Sequence, residues 1–195
     1  DRIEKAKTTQ TQLAALKRAV GKNKRSPYYH RNGIAYAAAG TAGNWSLNNF
    51  DITTDFITDT AFETAVTGDK FTLKTLSLKF LINADIDGFR CVVYAPKRVG
   101  NEWQPGVSSA GFVADLDRNI YTVLADWTVN GDDPFQSTAS SRKISLHGMT
   151  AIAQSLASPR TVERGQIYMT VFWRNRTLTT GTQITMSSQL EIVDH

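Results

Sequence analysis

From position 33 onward, hydrophobic and polar residues alternate in short runs separated by clusters of Gly, Asn, Asp, Pro and Ser. That is the pattern of an all-β domain whose strands each keep one face dry. The alternation predicts about eight strands, near 33–39, 44–50, 70–83, 88–96, 119–130, 142–149, 165–174 and 182–193. In 119–130, Tyr121, Val123, Ala125, Trp127 and Val129 share one parity, and Thr122, Asp126, Thr128 and Asn130 the other. Near the C-terminus Ile184, Met186, Leu190 and Ile192 oppose Thr185, Ser187, Gln189 and Glu191 in the same way. The parity slips in 70–83: Phe71 and Leu73 lie on one side of the count, Leu76, Leu78, Phe80 and Ile82 on the other. A slip of one predicts a bulge near Lys74 and Thr75. Short helices are expected only within 51–66 and 106–118, and 97–109, with Trp103 and Pro105, reads as a long surface or interface loop. Strands of this kind without a repeated period predict a sandwich or jelly roll rather than a propeller or solenoid.

Upstream of that domain the pattern differs. Leu13, Leu16 and Val20 fall at spacings of three and four beside Lys17 and Arg18, which predicts a short amphipathic helix stopped by Gly21. A helix of that length is marginal alone in water and would gain order against a partner. Positions 22–27 then read as an extended, charged connector.

Charge divides the chain at the same place. Residues 1–32 hold nine Lys or Arg and two acids, a net +7, whereas 33–195 hold thirteen and sixteen, a net −3. A basic arm, 1–32, on a mildly acidic domain, 33–195, is the layout of a protein that grips a polyanion with its tail. Lys5, Lys7, Lys17, Arg18, Lys22, Lys24, Arg25 and Arg31 are the expected phosphate contacts. A solvated tail or an import signal would use the same composition. Single strands are the expected ligand, because no helix in the arm is long enough to read a groove base by base. Tyr28 and Tyr29 could stack on bases or pack against the domain.

The remaining chemistry is sparse. The 195 residues suit one domain and a tail, and 41% hydrophobic content is that of a globular chain. The sequence opens on Asp1, so a longer arm or removed leader upstream is compatible with it. No run approaches the roughly 18 apolar residues of a membrane span, so no membrane partner is expected. Cys91 is the single cysteine and alternates with Phe89 and Val93, which makes it a packing residue and leaves no internal disulfide. His30, His147 and His195 are scattered, no zinc-ligand spacing, nucleophile elbow or phosphate-cradling glycine loop is present, and no catalytic residue is assigned. The triplets starting at Asn44 and Asn175 match the glycosylation pattern at the frequency of chance.

The strand Ile120-Tyr121-Thr122-Val123-Leu124-Ala125-Asp126-Trp127-Thr128-Val129-Asn130 resembles a strand of coat proteins of the satellite tobacco necrosis virus type, which occur also in some small circular single-stranded DNA viruses. Three further segments are similar in order and spacing: Ala15-Leu16-Lys17-Arg18-Ala19-Val20 to the basic helix before the domain, Gly68-Asp69-Lys70-Phe71-Thr72-Leu73-Lys74 to a Gly-Asp turn entering a long strand, and Phe89-Arg90-Cys91-Val92-Val93-Tyr94 to the strand after it. The resemblance implies a single eight-stranded antiparallel jelly roll, sixty copies in a T=1 shell, an arm directed at a single-stranded genome of RNA or DNA, and location in the virion. It also implies calcium between subunits. Acids at Asp51, Asp55, Asp59, Glu63 and Asp69 cluster before the long strand and Asp194 closes the chain, so Asp55, Asp59 and Asp194 are the expected ligands, with no other cofactor required. The acid that the family places just after its arm helix has no counterpart here. The rival reading is a non-viral recognition module, lectin-like or a cytokine-like trimer, with a basic targeting tail.

Overall fold

The computed structural model describes residues 11–12, 28–36, 43–57, 70–98, 102–130, 136–153, 162–176 and 184–194. The expected arm helix, with Leu13, Leu16 and Val20, lies outside them. The strands are β1 (Tyr28–Tyr36), β2 (Trp45–Asp51), β3 (Lys70–Ile82), β4 (Ile86–Pro96), β5 (Tyr121–Asn130), β6 (Thr138–Ala153), β7 (Val162–Arg164), β8 (Tyr168–Asn175) and β9 (Ile184–Asp194), with short helices α1 (Ile52–Ile57) and α2 (Ser109–Val113).

Two antiparallel sheets form, of order β1-β9-β3-β6-β7 and β2-β8-β4-β5. The pairing is nested: β1 bonds β9, β2 bonds β8, β3 bonds β6 and β4 bonds β5. One long ribbon of antiparallel pairs wound around a common core is a jelly roll. The brief β7 is an addition, meeting β6 only at Ile152 and Ala153.

The core lies between the sheets. From β3 it receives Phe71, Leu73, Leu76, Leu78, Phe80 and Ile82, and the register against both β6 and β9 shifts between Leu73 and Thr75. The extra residue is the expected bulge, and it returns the second run of apolar residues to the inner face. Phe89, Cys91 and Val93 of β4 and Met169, Val171 and Trp173 of β8 close the core from the other sheet. Cys91 is fully buried, and that burial raises its thiol pKa well above the ordinary value.

Three local expectations change. The first strand begins at Tyr28 rather than at 33, because Tyr28 to Asn32 already pair with Ile192 to Ser188. In β5 the single dry face is broken at Leu124: Val93 pairs Ala125, but Tyr94 pairs Val123. Trp127 therefore joins the core, while Tyr121 and Val123 turn to the outside of the sheet. The seventh strand starts at Tyr168 because Gly165, at φ +83°, ends β7 in a tight turn.

That outside face is covered by the chain itself. Segment 102–118 crosses the four-stranded sheet, with Trp103 edge-on to Phe172 at 5.7 Å, Phe112 against Trp45 at 4.5 Å, and Leu116 buried beside Val92, Tyr94 and Tyr168. Arg90, 5% exposed, pins the strap. Its Nε and Nη2 donate to the two Asp126 oxygens at 2.9 and 2.6 Å, and Nη1 donates to the carbonyls of Phe112 and, at 2.9 Å, Ala114. A buried guanidinium is tolerable only when its donors are satisfied in this way. Tyr94 Oη accepts from the Trp103 N–H at 2.9 Å, and Asn49 donates to Glu102 and to the Trp103 carbonyl.

Two predictions follow from the strap. Replacing Arg90 with Ala should cost about 2–3 kcal/mol in urea unfolding, since it leaves the carbonyls of Phe112 and Ala114 without their donor, whereas the Asp126 carboxylate, about a third exposed, regains water. Arg90→Lys should recover little, lacking the planar fork, and Asp126→Asn should cost less than Arg90→Ala because the two carbonyl bonds survive. Hydrogen exchange over 102–118 should accelerate in the same order. The second concerns alkali. Burial, then the Asp51 and Glu102 carboxylates, push the Tyr168 phenol up to about 12, and burial also raises Tyr94. Between an ordinary tyrosine value of about 10 and about 12, the unfolded chain has lost a proton that the folded chain keeps, so stability falls as pH rises through that window. Urea midpoints should decline above about pH 10, and Tyr168→Phe should flatten the decline.

Candidate nucleic-acid interface

The five-stranded sheet turns its other face outward, and alternation along β3 and β6 decides what stands there. Lys70, Lys74 and Lys79 of β3 are exposed, with Thr72, Thr75 and Ser77 half-buried between them. Lys143 of β6 is exposed and sits opposite Ser77. Ser77 faces Gln189, which in turn pairs Arg31. Residues directly opposite on neighbouring strands share a face, so these register positions form one row across the sheet.

The strands of the two sheets differ in charge. Those of the five-stranded sheet carry Arg31, Lys70, Lys74, Lys79, Arg142, Lys143 and Arg164 against Glu163, Glu191 and Asp194, a net +4. Those of the four-stranded sheet carry Arg90 and Arg174 against Asp51, Asp87 and Asp126, a net −1. Arg142, opposite Leu78 and over the Trp127 ring, belongs to the inner side, but the outer row with Lys70, Lys74, Lys79 and Lys143 can oppose phosphates, and the arm joins the domain at the edge of that same sheet, through β1.

Of the expected phosphate contacts, Arg31 alone falls in the described residues, in β1 opposite Gln189. Lys5, Lys7, Lys17, Arg18, Lys22, Lys24 and Arg25 lie outside them. Lys70, Lys79 and Lys143 are not among the expected contacts, and charge counting over 1–32 and 33–195 does not single them out. Their signal is the polar parity of β3 and β6, which collects them only once the strands are paired.

Among the expected metal ligands, Asp55 is exposed in α1, Asp194 ends β9 opposite Phe71, and Asp59 lies outside the described residues. Partial desolvation and then the Asp51 carboxylate raise the Asp55 pKa, although the residue itself remains exposed to solvent. Asp51 has a separate role: its Oδ1 accepts the Thr54 N–H at 3.0 Å and its Oδ2 the Thr54 hydroxyl at 2.7 Å, which caps α1. No group of three or more His, Cys, Asp or Glu converges among the described residues.

The chain matches no protein-family model and no curated protein sequence. Among solved structures it is similar to the tobacco streak virus coat protein, with 10% identity over 87% of this chain and 88% of that one and a TM-score of 0.43. It is similar also to desmodium yellow mottle tymovirus, with 12% identity over 87% and 89% and a TM-score of 0.41, and to empty turnip yellow mosaic virus, with 14% identity over 87% and 82% and a TM-score of 0.40.

Proposed function

We propose that the chain is the coat protein of a small non-enveloped icosahedral virus, assembling as a T=1 shell of sixty copies whose basic arms hold a single-stranded genome. The observation that carries this reading is the placement of charge on the fold: residues 1–27, net +6, lead into the edge of a jelly-roll sheet whose strands, Arg31 included, are net +4, while the chain from 33 onward is net −3. The four-segment resemblance to coat proteins supports it independently of charge. Val107 and Val113 in the strap, and Ile120 just after it, are exposed apolar side chains that contacts between neighbouring copies would cover. A recognition module with a targeting tail would need neither a shell nor bound nucleic acid. Light scattering with the ratio of absorbance at 260 and 280 nm separates the two, and a small monomer free of nucleic acid sinks the coat-protein reading.

If sixty arms face inward, the interior carries roughly 420 positive charges, enough to balance a substantial part of a small genome. Neutralising up to about seven phosphates per arm gives a log–log salt slope near −5 for single strands. Deleting residues 1–25 should strip encapsidated nucleic acid and leave β1 and the fold intact, since β1 begins at Tyr28. Gln at Lys17, Arg18, Lys22, Lys24 and Arg25 should do nearly the same and flatten the slope. Unchanged packaging by that variant would remove the arm from the account.

Calcium held between subunits by Asp55, Asp59 and Asp194 is part of the proposal. Metal bound only by assembled copies stabilises assembly through mass action. Excess chelator at neutral pH should lower the particle's melting temperature. Identical melting and size with and without chelator would exclude the ion.

A further inference from the structure

A cavity of about 770 Å³ lies where β3 begins and β4 and β6 end. Four cations line it, Lys70, Lys97, Arg98 and Arg164, against one acid, Glu163. Lys70 pairs Ile152 across the ladder and Ile152 pairs Arg164, so both cations stand on the outward face of the five-stranded sheet. Lys97 and Arg98 arrive from the end of β4. Pro96, Met149 and Ile152 supply an apolar lining and Thr150 a hydroxyl.

The frame of this cavity is fixed by backbone contacts. Gly165, at φ +83°, presses the turn after β7 onto β6 so closely that a Cβ there would sit 2.3 Å from the Thr150 carbonyl oxygen. Thr53 of α1 holds the turn from the other side, its hydroxyl donating to the Gly165 carbonyl at 3.4 Å and accepting the Ile167 N–H at 2.8 Å. The Lys97 N–H donates to the Ile120 carbonyl at 2.8 Å, and its ammonium donates to the Arg118 carbonyl. None of the four cations is in an ion pair with another described residue. Four like charges facing one concavity repel each other, and low-dielectric walls focus their field on whatever enters.

We propose that this cavity is a second nucleic-acid contact, in which Lys70, Lys97, Arg98 and Arg164 take phosphates of a single strand and the Pro96, Met149 and Ile152 lining receives the sugar or base. The size lies within the usual 300–1,000 Å³ of ligand sites, and a combination of cations with an apolar floor suits a nucleotide unit. The inference deepens the genome-binding reading and rests on it for the identity of the polymer. It places part of the grip on the cavity wall, in addition to the arm.

The test uses the full chain in two backgrounds, the parent and the five-fold glutamine arm variant, each with and without Lys70→Gln, Arg98→Gln and Arg164→Gln. Binding of a fluorescein-labelled oligothymidylate is titrated from 50 to 300 mM salt, with circular dichroism confirming the fold. Loss of three phosphate contacts should reduce the salt slope by about 2 in both backgrounds, and Arg164→Lys should keep the slope of the parent at that position. An oligonucleotide bearing 5-iodouracil should crosslink, on irradiation, to peptides spanning 149–152 or 163–166. An unchanged slope in both backgrounds, or crosslinks confined to the arm, overturns the cavity while leaving the arm's role intact. A slope lost only with the cavity variants upholds the cavity and sinks the arm. Displacement of the oligonucleotide by millimolar inorganic phosphate at constant ionic strength would show that a single phosphate suffices for the site, and supports it. No crosslink to 149–152 or 163–166 from any oligonucleotide, together with binding of a sulfated polysaccharide that the three cavity substitutions abolish, overturns the proposal in favour of a glycan.

Discussion

β3 is hydrogen-bonded on both sides, to β6 and to β9, and one extra residue between Leu73 and Thr75 determines which of its thirteen side chains reach the core. A strand with period two and no bulge would send either Phe71 and Leu73 or the run from Leu76 to Ile82 into solvent. With the bulge, all six are buried, and Lys70, Lys74 and Lys79 are all outside. The dry interior and the basic exterior of this sheet are thus one decision about register. The positions of Lys143 on β6 and of Gln189 on β9 are inherited from it, through their pairing with Ser77.

Much of this was legible in the chain because alternation is a local signal. The slip in 70–83 could be read from parity alone, as could the inner face of β9. What escaped reading depended on partners distant in sequence. Nothing in the run from Tyr121 to Val129 announces that its dry parity splits at Leu124; that follows from β4, whose Val93 looks inward and Tyr94 outward. Nor does Arg90, set in an apolar run, show by itself that it will meet Asp126 and two carbonyls of 112–114. The basic arm was visible through charge counting, which needs no geometry. The cavity was invisible for the converse reason: Lys70, Lys97, Arg98 and Arg164 come from three strand ends and are neighbours only after folding.

The two sheets have been finished differently on their outer faces. The four-stranded sheet carries aromatic rings outward and hides them under its own strap, so that Tyr94 contacts Trp103, Tyr121 and Tyr168 within 5.2–6.3 Å. On the five-stranded sheet no described segment plays the part of the strap, and Lys70, Lys74 and Lys79 are exposed with Thr72, Thr75 and Ser77 half-buried between them. That difference gives the domain a polarity that the net charge of +4 conceals.

The brevity of β7 has a consequence of its own. It occupies only the last two positions of the sixteen-residue β6, so among the described strands the outer ladder of β6 from Thr138 to Thr150 offers its amides to no neighbour. An open ladder of that length invites another chain to add a strand. Two features discourage it: adjacent charges at Arg142 and Lys143, and the kink where His147 and Gly148 both take positive φ. The kink interrupts the straight run that an added strand would need, while the charges repel the same residues on a second copy. Charge and backbone conformation thus guard the same described edge, each against strand addition by a different route.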